Sequence, residues 1–204
     1  MFFTGKLTDD GGLIISGWEY RPDKVISWAV KTDASGNVEW ENSYDSCQYL
    51  RSGVQTSDGG YIFVGASYQV NPLSTQLVLI KTDADGNELW SKTFGLPFFS
   101  ETSWWIEETS DGGYVFTGNY LGIGKFINFI QTKFEMAFDL WSKLWIIKTD
   151  ADGNIEWDNK SETGFGRCVK QTSDGGYKVT GYRGGYTNPK GLLLIKTDEN
   201  GNID

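Results

Sequence analysis

The sequence predicts an all-β fold of four repeated antiparallel units, on the strength of two turn phrases that alternate four times and strand-length runs between them. The first phrase is Thr-Asp-Asp-Gly-Gly-Leu at 8–13, then Thr-Ser-Asp-Gly-Gly-Tyr at 56–61, 109–114 and 172–177. The second is Lys-Thr-Asp-Ala-Ser-Gly-Asn at 31–37, Lys-Thr-Asp-Ala-Asp-Gly-Asn at 81–87 and 148–154, and Lys-Thr-Asp-Glu-Asn-Gly-Asn at 196–202. The period is about fifty residues, with one longer unit, and repeats of that length build propellers or arrays. Composition agrees: 204 residues hold 26 glycines but only 4 prolines, and aromatics make up 15%. Such a chain has many tight turns and ample core material.

Taken in order, each unit supplies four strands. The first ends at the Thr-Ser-Asp-Gly-Gly turn, where Asp-Gly tolerates the positive φ that two-residue hairpin loops require. The second carries aromatic and β-branched residues and then glycine, as in Tyr-Ile-Phe-Val-Gly at 61–65 and Tyr-Val-Phe-Thr-Gly at 114–118. The third is a continuous apolar run: Leu-Val-Leu-Ile at 77–80, Leu-Trp-Ile-Ile at 144–147 and Leu-Leu-Leu-Ile at 192–195. Runs without polar alternation predict strands covered on both faces. The fourth carries Trp40, Trp90 or Trp157. Four-stranded antiparallel sheets stacked face to face are the blades of a β-propeller. A single domain is expected, with units at about 1–46, 47–97, 98–162 and 163–204.

The stretch Lys-Thr-Asp-Ala-Asp-Gly-Asn-Glu-Leu-Trp at 81–90 resembles the repeat of secreted and surface propeller proteins of bacteria and archaea, which are distantly similar to quinoprotein-type propellers. The likeness covers essentially all four units. In the quinoprotein repeat an Asp, a Gly and a Trp four residues after that Gly dock neighbouring blades, and Gly36/Trp40, Gly86/Trp90 and Gly153/Trp157 match the Gly-to-Trp spacing. The interval from Asp to Gly is one residue shorter here. The resemblance implies a propeller of an extracellular or cell-surface protein, and no signal peptide is visible in the chain. It does not choose a function, because that superfamily includes cofactor enzymes, lectin-like binders and scaffolds.

Charge and composition exclude several classes. A net charge of −9 argues against nucleic-acid binding, which draws on Lys and Arg. There is no histidine, which removes Ser-His-Asp and Cys-His catalysis and His-ligated zinc. Two cysteines, Cys47 and Cys168, make neither a disulfide framework nor a metal site. No apolar stretch reaches the length of a membrane span. Glu107 and Glu108 are adjacent on a predicted strand, so they point to opposite faces and cannot act as a glycosidase acid pair. No catalytic residue is assigned, and the chain reads as a non-enzyme.

Three features remain as candidate sites. Asp83, Asp85 and Asn87, with Asp150, Asp152 and Asn154, alternate oxygen ligands as calcium loops do. Counting from Asp83, however, Gly86 falls fourth and Phe94 twelfth, so the EF-hand pattern is absent. The middle position varies as Ser35, Asp85, Asp152 and Asn200, which suits turn chemistry before weak Ca²⁺ binding, and no other cofactor is indicated. Both acidic phrases are expected on one rim and account for nearly all the net charge. Trp104 and Trp105 lie on the first strand of unit three, nearest the axis, where an indole would stack on a sugar ring or a peptide side chain unless it packs between blades. Unit three also carries an insertion, residues 124–142, in which Phe126, Ile130, Phe134, Phe138 and Trp141 recur at helical spacing; Phe134 and Trp141 join the ligand candidates.

These features point to a non-catalytic binding or scaffolding module with a protein or carbohydrate ligand. The alternatives are a lectin-like propeller and a fragment of a quinoprotein-like or glycoside-processing enzyme. The last blade is expected to be incomplete, since the Trp of its fourth strand would fall one residue beyond Asp204. That would make the chain a piece of a longer propeller and leave an edge open to self-association.

Overall fold

The structure, a computed structural model, describes residues 2–70, 73–95, 100–121, 142–185 and 188–203. Among these residues there is no helix. In unit one, β1 (Phe2–Leu7), β2 (Leu13–Tyr20), β3 (Val25–Thr32) and β4 (Val38–Tyr44) pair antiparallel in chain order. Unit two repeats this with β5 (Tyr49–Gln55), β6 (Tyr61–Val70), β7 (Leu73–Thr82) and β8 (Glu88–Phe94). Unit three contains β9 (Ser100–Glu108), β10 (Tyr114–Leu121), β11 (Ser142–Thr149) and the first part of β12 (Ile155–Gln171). The rest of β12 opens unit four, followed by β13 (Tyr177–Gly185) and β14 (Asn188–Thr197). One strand therefore serves two units, where separate strands were expected. Among the described residues one parallel bridge, Thr75 with Ser100, links β7 to β9.

The turns are one residue longer than expected. In the first phrase Thr8 N–H donates to Gly12 O and Gly11 N–H to Thr8 O, closing a three-residue loop with Gly11 at φ +82°. Units two, three and four repeat those bonds at Thr56, Thr109 and Thr172. This is a type I turn followed by a left-handed glycine, the second most common hairpin connection. The next glycine is fixed by space: a Cβ on Gly60 would lie 2.3 Å from Thr82 O.

Lysines tie the two acidic phrases together. Lys31 Nζ donates to Asp10 Oδ2 at 2.6 Å, to Glu39 Oε2 at 2.6 Å and to Thr32 O at 2.8 Å. Lys81 reaches Asp58, Lys148 reaches Asp111 and Glu156, and Lys196 reaches Asp174. Both sets of acidic turns thus lie at one end of each sheet. The first three ammonium groups are buried and paired, the condition under which a buried charge is tolerated.

Three cores join the units in a row. Ile14, Ala29 and Tyr44 pack on Tyr61, Phe63, Val78 and Ile80 between units one and two. Ile62, Leu77 and Leu79 meet Tyr114, Phe116, Trp145 and Ile147 between units two and three. Val115, Leu144 and Ile146 meet Val179, Leu193 and Ile195 between units three and four. Residues 77–80 and 144–147 are buried on both faces, as their apolar runs predict. Residues 192–195 are not: Leu193 and Ile195 are buried, but Leu192 is 91% and Leu194 68% exposed. The physical reason is that no core among the described residues joins unit four to unit one. The arrangement is propeller-like, without a closed ring among those residues.

Candidate functional site

The innermost strands β1, β5, β9 and β12 share a defect at one repeat position. Register shifts fall between Phe2 and Thr4, between Leu50 and Ser52, between Trp105 and Ser103, and between Gly166 and Cys168. Each is a β-bulge whose extra residue is Phe3, Arg51, Trp104 or Arg167. Opposite each bulge stands the glycine of the second strand: Gly17, Gly65, Gly118 or Gly181. A Cβ on Gly118 would lie 2.0 Å from Thr102 O, and one on Gly181 1.8 Å from Phe165 O. Only glycine lets the bulged backbone approach so closely. Bulges re-aim a side chain, and here they bring three side chains from three units together.

The result is a stack of alternating cations and rings. Arg167 Cζ lies 3.6 Å and Arg51 Cζ 4.5 Å from the Trp104 ring centroid. Arg51 also covers Trp18 at 4.8 Å, and Trp18 meets Tyr49 edge-on at 5.7 Å. On the far side Arg167 lies 5.3 Å from the Tyr182 ring, and Tyr182 stacks on Phe165 at 4.8 Å. Arg167 Nη2 donates to Tyr182 Oη at 3.3 Å, and Trp104 Nε1 donates to Asn119 Oδ1 at 3.0 Å. Among the described residues no carboxylate pairs with Arg167. A guanidinium lying on a ring face is held in place, and its planar edge has the geometry that suits a carboxylate or phosphate.

Trp105 is placed differently. Its ring packs partly on the core between units three and four, with Lys6 Nζ 4.0 Å from its centroid, and its Nε1 donates to Glu107 Oε1 at 2.7 Å. Lys6 reaches across the axis to Ile106 O at 2.5 Å and Glu107 Oε1 at 3.4 Å. Burial pushes the Lys6 ammonium below its ordinary pKa, and the Glu107 carboxylate partly offsets this. Glu108 points the other way and accepts from Ser57 N–H and Oγ, as strand alternation requires.

The remaining candidates sit elsewhere. Asp83 Oδ1 accepts the Asp85 and Asn87 N–H groups and Oδ2 accepts Asn87 Nδ2; Asp150 holds Asn154 in the same way. These bonds, from the Asn side chain first, hold both carboxyls below the usual carboxylate range. The oxygens that a cation would take are already engaged by the turn, and Asp85 and Asp152 stand exposed beside them. Trp40, Trp90 and Trp157 lie over Gly86, Gly153 and Gly201 of the following unit and lean on Tyr61, Tyr114 and Tyr177. Among the described residues no such indole lies above Gly36. Phe134 and Trp141 lie outside the described residues. The insertion's flanks, Leu121 and Ser142, are paired at the end away from the acidic turns.

The sequence pointed to Trp104 but not to its arginines. The available signal was the glycine recurring opposite each inner strand, which marks a bulge or a close backbone approach.

No protein-family model matches the chain, and no curated protein does. Solved structures do. The chain is similar to acylaminoacyl peptidase from Pyrococcus horikoshii at TM-score 0.56 and 11% identity, over 100% of this chain and 31% of that one. A mannose phosphorylase from Leishmania mexicana, solved with phosphate ion, gives 0.54 and 12%, over 98% of this chain and 68% of that one. A protein of unknown function from Bacteroides caccae gives 0.43 and 10%, over 99% and 79%. The chain thus spans about a third of the peptidase's length. At these identities the likeness to the peptidase and the phosphorylase shows the all-β, propeller-like fold alone.

Proposed function

We propose that the chain is β-propeller material acting as a non-catalytic binding module, and that it takes a carboxylate-bearing ligand at the axial end formed by Arg51, Trp104 and Arg167. The observation that carries this is the bulge repeated in four inner strands, which converges two guanidinium groups from two units on one indole. Two arginines held by ring faces are preorganised, so little side-chain entropy is lost when an anion binds. Stacking of a neutral sugar on Trp104 is disfavoured, because both guanidinium groups already lie against its ring. An extracellular or cell-surface setting is part of this proposal and rests on the resemblance of the repeat phrases.

Tryptophan fluorescence titrated with glutarate, and separately with maltose, tests the reading. Glutarate is expected to saturate and maltose to have no effect. Arg167→Ala should weaken glutarate at least about tenfold, the worth of one charge-assisted hydrogen bond. Saturation by maltose but not glutarate would reverse the assignment in favour of a sugar site.

A further inference from the structure

Lys6 stands apart from the other buried lysines of the chain. Lys31, Lys81 and Lys148 are fixed by the repeat, each on the aspartate of its own unit's first turn, and two of them hold a second carboxylate. Lys31 bonds Asp10 and Glu39 at 2.6 Å each, and although burial works against its charge these bonds raise its pKa. Lys6 has no place in that scheme. Three residues after each bulge the inner strands carry Lys6, Val54, Glu107 and Lys170, so the position changes in kind from unit to unit. The Lys6 side chain is 13% exposed, yet its carboxylate partner among the described residues, Glu107, stands at 3.4 Å. Burial therefore wins and pushes the ammonium down; Glu107 and the Cys168 thiol oppose this, while Lys170 adds to it.

The nitrogen sits where a cation is held but can give up a proton. It lies 4.0 Å from the Trp105 ring centroid and donates to Ile106 O at 2.5 Å. Glu107 Oε1 also accepts Trp105 Nε1 at 2.7 Å, which fixes the carboxylate beside the amine. Among the described residues no hydrogen bond reaches Glu107 Oε2, so one oxygen is left to carry a proton. An amine whose charge is disfavoured by burial and by a second cation nearby is the usual form of a carbonyl-trapping lysine. The kind of electrophile follows from charge. Condensation with an aldehyde yields an iminium, which keeps a positive charge over the indole and beside Glu107. Acylation would erase that charge and leave a partly buried carboxylate without its partner, which is the costly outcome.

We propose that Lys6 and Glu107 form a reversible covalent site for small aldehydes at the axis, separate from the anion site and using neither of its arginines. Glu107 takes one proton from the ammonium, and the freed electron pair of Nζ forms a bond to the carbonyl carbon. That proton and a second one from the nitrogen then leave on the carbonyl oxygen as water while the C=N bond forms. Ammonium and aldehyde thus become iminium and water, with charge unchanged and nothing oxidised or reduced. Trp105 positions the carboxylate and covers the iminium. The narrow exposure of Lys6 limits the ligand to a small carbonyl compound.

Limiting propanal, trapped on the full chain with cyanoborohydride and mapped by peptide mass, is the probe. Lys6 is expected to label ahead of Lys24, whose side chain is 55% exposed, whereas the N-hydroxysuccinimide ester of acetate should label Lys24 first. Glu107→Gln keeps an acceptor for Trp105 but cannot carry the proton, so it should slow labelling of Lys6 at least about tenfold. A purely structural ion pair predicts the reverse, since losing the carboxylate frees the amine. Without cyanoborohydride, propanal should shift tryptophan fluorescence reversibly, and Lys6→Arg, which keeps a cation on the indole, should remove the shift. Lys24 labelled by propanal as fast as Lys6, Lys6 acetylated ahead of Lys24, labelling unslowed in Glu107→Gln, or the same fluorescence shift in Lys6→Arg would each overturn the proposal.

Discussion

Asp58 and Asp111 show how the repeat's chemistry sets its pH response. Partial burial works against ionisation of both. Hydrogen bonds from Thr56 and Lys81 to Asp58, and from Thr109 and Lys148 to Asp111, outweigh it and hold each carboxyl at about 2. A depressed folded-state pKa contributes stability that is present above the unfolded value of 3.8 and lost as pH falls toward 2. Stability against urea should therefore be flat above about pH 5 and fall between pH 4 and 2. Lys81→Met should return the Asp58 carboxyl toward its ordinary range in an NMR titration; an unchanged titration would mean that Thr56 and the turn suffice. The two thiols give a second check. Burial pushes the Cys47 thiol up to about 12 and the Cys168 thiol above its usual value. Neither should react quickly with a disulfide reagent at pH 8, and Cys47 should react only after unfolding, because the thiolate is the nucleophile.

Two glycines with one backbone but different neighbours measure what an outer strand contributes. Gly36 and Gly86 sit at φ +84° and +77°, so an alanine at either costs about 1 kcal/mol of backbone strain. Only at Gly86 does the new Cβ also strike the Trp40 ring. Gly86→Ala should thus destabilise by at least about 1 kcal/mol more than Gly36→Ala in chemical denaturation. Equal losses would show that the indole contributes little to docking. The repeat was legible in the sequence because turn chemistry is local: Asp10, Asp58, Asp111 and Asp174 each bond their own turn's second glycine N–H. Strands 77–80 and 144–147 were legible because burial on both faces removes polar alternation. The run at 192–195 misled, since the same apolar pattern is buried on one face only in unit four. The bulges were not read because Gly65, Gly118 and Gly181 look like ordinary strand glycines until the partner strand is known. Arg51 and Arg167 were not legible as partners of Trp104 because they lie far from it in sequence and meet its ring only through the bulges of neighbouring inner strands.

The whole molecule is polar along its axis. One end gathers the acidic turns, with their aspartates bound to lysines and their own backbone. The other end carries the guanidinium and aromatic stack spanning all four units from Trp18 to Tyr182. On the proposed function, an anionic ligand would be repelled by the first end and drawn to the second, so net charge alone would misstate what the chain attracts. The most direct measurement is a crystal structure of the chain with glutarate. The account predicts carboxylate density within hydrogen-bond distance of the Arg51 and Arg167 guanidinium edges, on inner strands bulged at those residues. Glutarate bound at the acidic turns or nowhere, or inner strands without the bulges, would contradict it.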